Sequence, residues 1–235
     1  MSKWNEKSLA DYDNKVADLL ASLRVADCSV HFGISNKKTK MVNEGTSAGL
    51  AGTCDESCVG DCREGCYAIV HGDGVYKSAR RNHAENTILR RANPVRYYEQ
   101  FFEFALVHGK SLRLNETGDF ETQADIEAVY SVAQKYPSVR VIGYTKRANL
   151  LRFVSMLNKL ENVMIHFSLA CKGFGKAIAE MNGVPYTQIT TEPTECTCPA
   201  QIAKMNGNSV NWSCSMCAEK GCGCFSSKNV TFLAH

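Results

Sequence analysis

The chain has 235 residues, 44% of them hydrophobic and 22% charged, with a formal net charge of +3; it is ordinary globular material, enough for one large domain or two small ones. So mild a charge excludes nucleic-acid binding by bulk electrostatics alone. No apolar run approaches the roughly 18 residues of a spanning helix, so no membrane role is expected.

The polar start, MSKWNEKSLADYDNK, has no apolar signal core, and a cytoplasmic location is expected. Residues 8–24 form an amphipathic pattern with Leu9, Val16, Leu19, Leu20 and Leu23 on one face and Ser8 as a cap. CSVHFGIS, residues 28–35, alternates as a first strand, and a loop rich in Lys, Gly, Ser and Thr follows to Thr53. Residues 75–107 read as two helices broken near Asn93-Pro94, because proline cannot continue a helix interior. Residues 111–116 form a strand, and residues 121–136 a helix with Ile126, Val129, Tyr130 and Ala133 on one side, capped by Asp119 or Thr122.

VRVIGYT, residues 139–145, is a near-continuous apolar run, as expected of a strand buried on both faces. A helix over 147–160, a strand over 162–168, a helix over 174–182 ending at Asn182-Gly183 and a strand over 186–190 follow. Segment 229–235 is a candidate to return to the sheet edge. This alternation predicts a parallel α/β fold. A closed eight-unit barrel takes about 250 residues; five or six units fit here, so the expected architecture is a partial (β/α)5-6 barrel. Its divisions are an N-terminal helix (1–27), the partial barrel (28–194) and a Cys-rich metal-binding appendage at the C-terminus (195–235).

Twelve cysteines in a reducing compartment point to metal ligation or catalysis over disulfides. Cys54, Cys58, Cys62 and Cys66 are spaced C-x3-C-x3-C-x3-C. Structural zinc prefers two-residue knuckles; three-residue gaps suit an iron–sulfur cluster. Three thiolates leave one iron open to a ligand, whereas four make a closed site without chemistry. Placed after the first strand of a parallel fold, the loop stands where such folds build active sites. The tail supplies Cys196, Cys198, Cys214, Cys217, Cys222 and Cys224. The candidate set is Cys198, Cys214, Cys217 and one of Cys222 or Cys224, holding either zinc or an auxiliary 4Fe–4S cluster. Either metal would add the folding energy that an apolar-poor tail lacks. Cys28 and Cys171 read as plain buried cysteines.

Lys77, Arg80, Arg81, Arg90, Arg91 and Arg96, with Tyr97, Tyr98 and Phe101, form a basic and aromatic stretch. Such a stretch can contact nucleic acid, although a solvated helix face explains it more simply. His166 and Ser168 end a strand and read as core or rim residues. Nothing in the pattern signals an oligomer.

Several of these motifs together resemble the phage gene product 88 family: Thr53-Cys54, Cys62, Cys66-Tyr67-Ala68, Arg80-Arg81-Asn82, Arg113, Gly118-Asp119-Phe120 and Tyr144-Thr145-Lys146. The resemblance continues through Cys198-Pro199-Ala200, Cys214, Cys217, Cys222 or Cys224, and the strand from Val230 to His235. It implies a fold like that of radical S-adenosylmethionine enzymes, whose three cysteines, typically C-x3-C-x2-C, lie in the loop after the first strand. Here three residues precede the last cysteine, and the aromatic, Tyr67, follows it.

The ligands implied are Cys54, Cys62 and Cys66 with Cys58 extra; spacing alone allows Cys58, Cys62 and Cys66. The resemblance also implies that Glu116, Gly118 and Asp119 stand where the amino group of S-adenosylmethionine is held, with Tyr67 and Lys146 near the same mouth. The resulting expectation is an iron–sulfur protein, a radical S-adenosylmethionine-like enzyme of unnamed substrate. The alternative is a metal-stapled binding or regulatory protein, iron–sulfur or zinc, in contact with nucleic acid. A phage origin would put it in the host cytoplasm.

Overall fold

The computed structural model describes residues 6–34, 40–55, 62, 66, 68, 69, 77–169, 175–206 and 213–233. Its centre is a curled half-barrel of six parallel strands in sequential order. In chain order the elements are α1 (Glu6–Ser22), β1 (Val42–Asn43), α2 (Lys77–Ala92), α3 (Pro94–Val107), β2 (Leu112–Leu114), α4 (Gln123–Lys135), β3 (Val141–Thr145), α5 (Leu151–Leu157), β4 (Val163–Ser168), α6 (Gly175–Met181), β5 (Tyr186–Thr190), α7 (Pro199–Met205), α8 (Cys214–Lys220) and β6 (Val230–Leu233). Every crossover from β1 to β6 passes through helix, as parallel pairing requires.

The two faces of the sheet follow the strand alternation. Leu112, Leu114, Val141, Val163 and Ile165 point to one face and bury against Tyr97, Phe101 and Phe102 of α3, Val129 and Val132 of α4, and Leu151 and Val154 of α5. Ile142 and Tyr144 point to the opposite, concave face. Gly143 lies on the helix side, where a Cβ would come within 2.8 Å of Ile165 and 3.2 Å of Leu114. The helices end where the local chemistry predicts. Asn93 accepts from the N–H of Arg96 at 3.0 Å ahead of Pro94, which breaks α2 from α3. Asp125, in the first turn of α4, accepts from the N–H of Thr122 at 2.9 Å. Helix α1 packs Leu9, Tyr12, Val16 and Leu20 against Ile69 and Ala84.

One element departs from expectation. The first sheet strand is Val42–Asn43, inside the segment read as loop, and not residues 28–35. Segment 28–34 is extended, but helix side chains take up its backbone groups. Glu85 accepts from the N–H of Ser29 at 3.1 Å, and Asn86 both accepts from the N–H of His31 at 2.9 Å and donates to its carbonyl at 3.0 Å. Only Gly33 reaches the sheet, through an antiparallel bridge to Asn43. Alternation records an extended, half-buried chain, and side-chain amides satisfy its backbone as well as a neighbouring strand does.

The cysteine-rich tail contributes to the same sheet. β6 pairs in parallel with β5, Thr187 opposite Val230 through Thr190 opposite Leu233. Upstream, the N–H of Cys198 donates to the carbonyl of Thr231, and the N–H of Thr231 to that of Cys196, both at 2.9 Å. Between these anchors, α8 and the turn Gly223–Phe225 cover the concave face, where Cys217, Ala218 and Phe225 bury with Met41 and Ile142.

Candidate functional site

Two groups of residues merit attention: the mouth at the carboxyl ends of β1 to β3, and the thiols on the concave face.

At the mouth, Asp119 ties three segments together. Its Oδ1 accepts from Thr145 Oγ1 at 2.7 Å and from the N–H of Phe120 at 2.8 Å, and its Oδ2 accepts from the N–H of Lys146 at 2.7 Å. Its own N–H donates to Thr53 Oγ1 at 3.0 Å, and its carbonyl accepts from Arg90 Nη2 at 2.8 Å. Gly118 has φ +73°, and a Cβ there would fall 2.3 Å from Thr46 Oγ1 and 2.4 Å from Thr53 Oγ1. The close approach that requires a glycine is therefore made by the chain's own threonines. Glu116 and Lys146 are half-buried beside this knot, each with its backbone N–H bonded inward, Glu116 to the carbonyl of Glu44 at 2.8 Å.

The same knot holds the start of the cysteine loop. Thr53 donates to the carbonyl of Ser47, Arg91 Nη2 to the carbonyl of Gly52 at 2.9 Å, and Asp55 pairs with buried Arg147 at 2.9 Å. Cys54 thus leaves from the carboxyl ends of β1 to β3, and Cys66 packs beside the α1–α2 cluster. Cys54, Cys62 and Cys66 are half-buried. Cys58, Tyr67 and Cys171 lie outside the described residues.

Beneath the mouth lies a buried charge network that sequence reading missed. Glu44 accepts from Tyr97 Oη and from the N–H of Asn115, both at 2.8 Å, and Arg90 stands 3.9 Å away and 3.6 Å from Asp125. Burial raises the Glu44 carboxyl, opposed by the Arg90 guanidinium and the two hydrogen bonds. The signal in the sequence is an acid, Glu44, two residues after the apolar pair Met41-Val42. The basic stretch is largely paired within the protein: Arg81 with Glu85, Arg90 with Glu44 and Asp125, Arg91 with Glu121.

On the concave face the tail thiols gather around Tyr144. Its hydroxyl donates to Cys224 Sγ at 2.9 Å, and Arg113 lies over its ring, 5.6 Å from the centroid. Cys214, Cys222 and Cys224 pack against the cluster that buries Cys217. Burial pushes the Cys224 thiol up to about 12, and neighbouring Cys198, Cys214 and Cys217 add to the shift while Tyr144 opposes it. Burial also raises Cys214, against the pull of Arg113. His166 is fully buried and donates from Nε2 to the carbonyl of Cys224 at 2.9 Å, so it serves as an anchor for the tail.

Among the described residues, no group of three or more His, Cys, Asp or Glu forms a ligating cage. The donor set nevertheless suits a thiophilic metal. Cys214, Cys217, Cys222 and Cys224 pack in one cluster, Cys217 buried and the other three half-buried, and metal binding there would displace thiol protons.

No described helix is long and apolar enough to cross a membrane. No curated protein and no solved structure matches the chain. Residues 28–195 match the family model described as Gene product 88, a span that holds the half-barrel through β5, the cysteine loop and the mouth. The chain therefore belongs to the Gene product 88 family of phage gene products.

Proposed function

We propose that the chain is an iron–sulfur protein built on the plan of the radical S-adenosylmethionine enzymes. One thiolate centre stands on the loop after β1, and an auxiliary one is formed by the tail. The observation that carries the reading is the gathering of Cys214, Cys217, Cys222 and Cys224 in one cluster on the concave face of a sequential parallel half-barrel, with Cys198 near enough to act on the Cys214 and Cys224 thiols. The cysteine loop leaves the same sheet at its carboxyl edge, where parallel folds concentrate chemistry.

Cys54, Cys62 and Cys66 would hold the first centre, and four of the tail thiols the second. A 4Fe–4S cluster supplies one-electron transfer and, where one iron lacks a protein ligand, an attachment point for S-adenosylmethionine. The protein's contribution is orientation and shielding. Arg147 and Arg91 fix the start of the loop, and Tyr144 and Arg113 polarise the tail sulfurs.

A second reading has an observation in its favour. Three donors already occupy the Asp119 carboxylate, and Thr46 and Thr53 fill the cradle at Gly118. A metal-stapled binding protein without S-adenosylmethionine chemistry fits that mouth. Zinc in the tail is compatible with it.

Anaerobic purification, iron and acid-labile sulfide counts, and electron paramagnetic resonance with and without S-adenosylmethionine test both. Iron and sulfide in equal amounts, with a spectrum that changes on adding S-adenosylmethionine, supports the enzyme. A spectrum indifferent to the cofactor selects the second reading, and zinc with no sulfide overturns the iron–sulfur assignment.

A further inference from the structure

At the end of the sheet opposite the cysteine loop, the segments entering β1, β2 and β3 enclose an open hollow of about 520 Å3. Lys40 stands before β1, Lys110 and Ser111 before β2, and Ser138 and Arg140 before β3; Glu219 of α8 is the carboxylate on its wall. The excess of positive charge is local and unspent. Among the described residues, Lys40, Lys110 and Arg140 have no carboxylate at ion-pair distance. By contrast, Arg81, Arg91, Lys135 and Arg147 are each matched to an acid.

The backbone adds a second observation. Lys40 has φ +54°, a left-handed conformation shared among described non-glycine residues only with Asn115. Such a conformation is unfavourable for a long side chain and tends to persist at functional positions. Arg140 is held in place from the tail side, its guanidinium 6.0 Å from the centroid of Phe225. Three cations with hydroxyls between them around one hollow match the chemistry of a phosphate group: dispersed negative charge and many acceptor oxygens.

We propose that this hollow binds a phosphate-bearing anion, supplied either as a free polyphosphate or as consecutive phosphates of a nucleic-acid strand. The hollow lies at the end of the sheet opposite the cysteine loop, and its tail-side wall is Ser215 and Glu219 of α8, the helix that carries Cys214 and Cys217. It also differs from the arginine stretch of α2, which internal pairing largely neutralises.

The test uses the full anaerobically purified chain and two probes: inorganic tripolyphosphate by calorimetry, and a fluorescein-labelled single-stranded 12-nucleotide DNA by anisotropy at two salt concentrations. The wild type binds at least one of them. The double variant Lys40→Glu, Lys110→Glu weakens that binding at least about tenfold and flattens its salt dependence, because phosphate contacts set the salt slope. The double variant Arg152→Glu, Lys176→Glu, at exposed positions in the first turns of α5 and α6 on the carboxyl-end side of the sheet, is the charge-matched control and leaves binding intact. If the double reversal perturbs folding by circular dichroism, Lys40→Ala with Lys110→Ala replaces it, with the same direction expected. Tripolyphosphate binding alone assigns the free anion, and DNA binding assigns the strand. Failure of both probes, or equal binding by the hollow variant and the control, overturns the proposal.

Discussion

Tyr144 and Cys224, 80 residues apart in sequence, meet in a hydrogen bond of 2.9 Å from hydroxyl to sulfur. The bond joins the concave face of β3 to the tail and aims a donor at a sulfur of the proposed auxiliary centre. Donors to cluster sulfurs stabilise added negative charge and raise the reduction potential. Tyr144→Phe keeps the ring under Arg113 and deletes the donor alone. The tail centre is expected to assemble with metal affinity lowered by about tenfold and a midpoint potential shifted downward. Metal competition and a spectroscopic redox titration check this. An unchanged potential would mean that the hydroxyl only packs.

Asp119 offers a direct test between structural and ligand roles. Asp119→Ala leaves the Thr145 hydroxyl and the Lys146 N–H buried without their acceptor. The expected loss is about 3 kcal/mol in a denaturant melt, with the cysteine loop loosened as well, because Thr53 bonds to the same residue. A variant of wild-type stability that has lost S-adenosylmethionine binding would instead make Asp119 a ligand residue.

The parts legible in the sequence were those governed by local periodicity. The strands at 141–145 and 163–168 lie within segments whose apolar content is high, the strand at 186–190 falls where one was expected, and the α2–α3 break follows from Pro94. The misplaced first strand shows the limit. Segment 28–34 and β1 are both extended, and only the long-range bonds from Glu85 and Asn86 decide which of them joins the sheet. At the candidate site, cysteine spacing pointed to two thiol groups. Their partners, Tyr144, Arg113 and His166, were beyond reach because they meet the tail only through the curvature of the sheet. Glu116, Gly118 and Asp119 were singled out by resemblance alone, and two of the three donors on the Asp119 carboxylate, Thr145 and Lys146, come from a segment distant in sequence.

His83 sets a pH dependence. Burial, followed by repulsion from His31, lowers its pKa from 6.5 to about 4. The unfolded chain therefore binds this proton in a range where the folded chain does not. The stabilisation is complete above pH 6.5 and is lost progressively as the pH falls toward about 4, by up to about 3 kcal/mol across the window. His83→Gln cannot titrate, so its denaturation midpoint should vary less over that range than the wild type's. Identical profiles would assign the acid sensitivity to other groups.

The choice between Cys222 and Cys224 as the fourth tail ligand can be argued from their surroundings. Cys224 is held by Tyr144 and lies within electrostatic reach of Cys198, Cys214 and Cys217. Cys222 sits at the start of the turn Gly223–Phe225, packed against the edge of the same cluster. Its N–H instead caps α8 through the carbonyl of Cys217 at 3.1 Å, a bond that any non-proline residue can make. Cys222→Ala should therefore retain the tail metal, whereas Cys224→Ala should lose it and, with it, the protease resistance of residues 195–233. Metal per chain, measured before and after a chelator, separates the two. The reverse pattern, metal lost with Cys222 and kept without Cys224, would mean that the tail rearranges on loading and that the Tyr144 bond belongs to the metal-free chain alone.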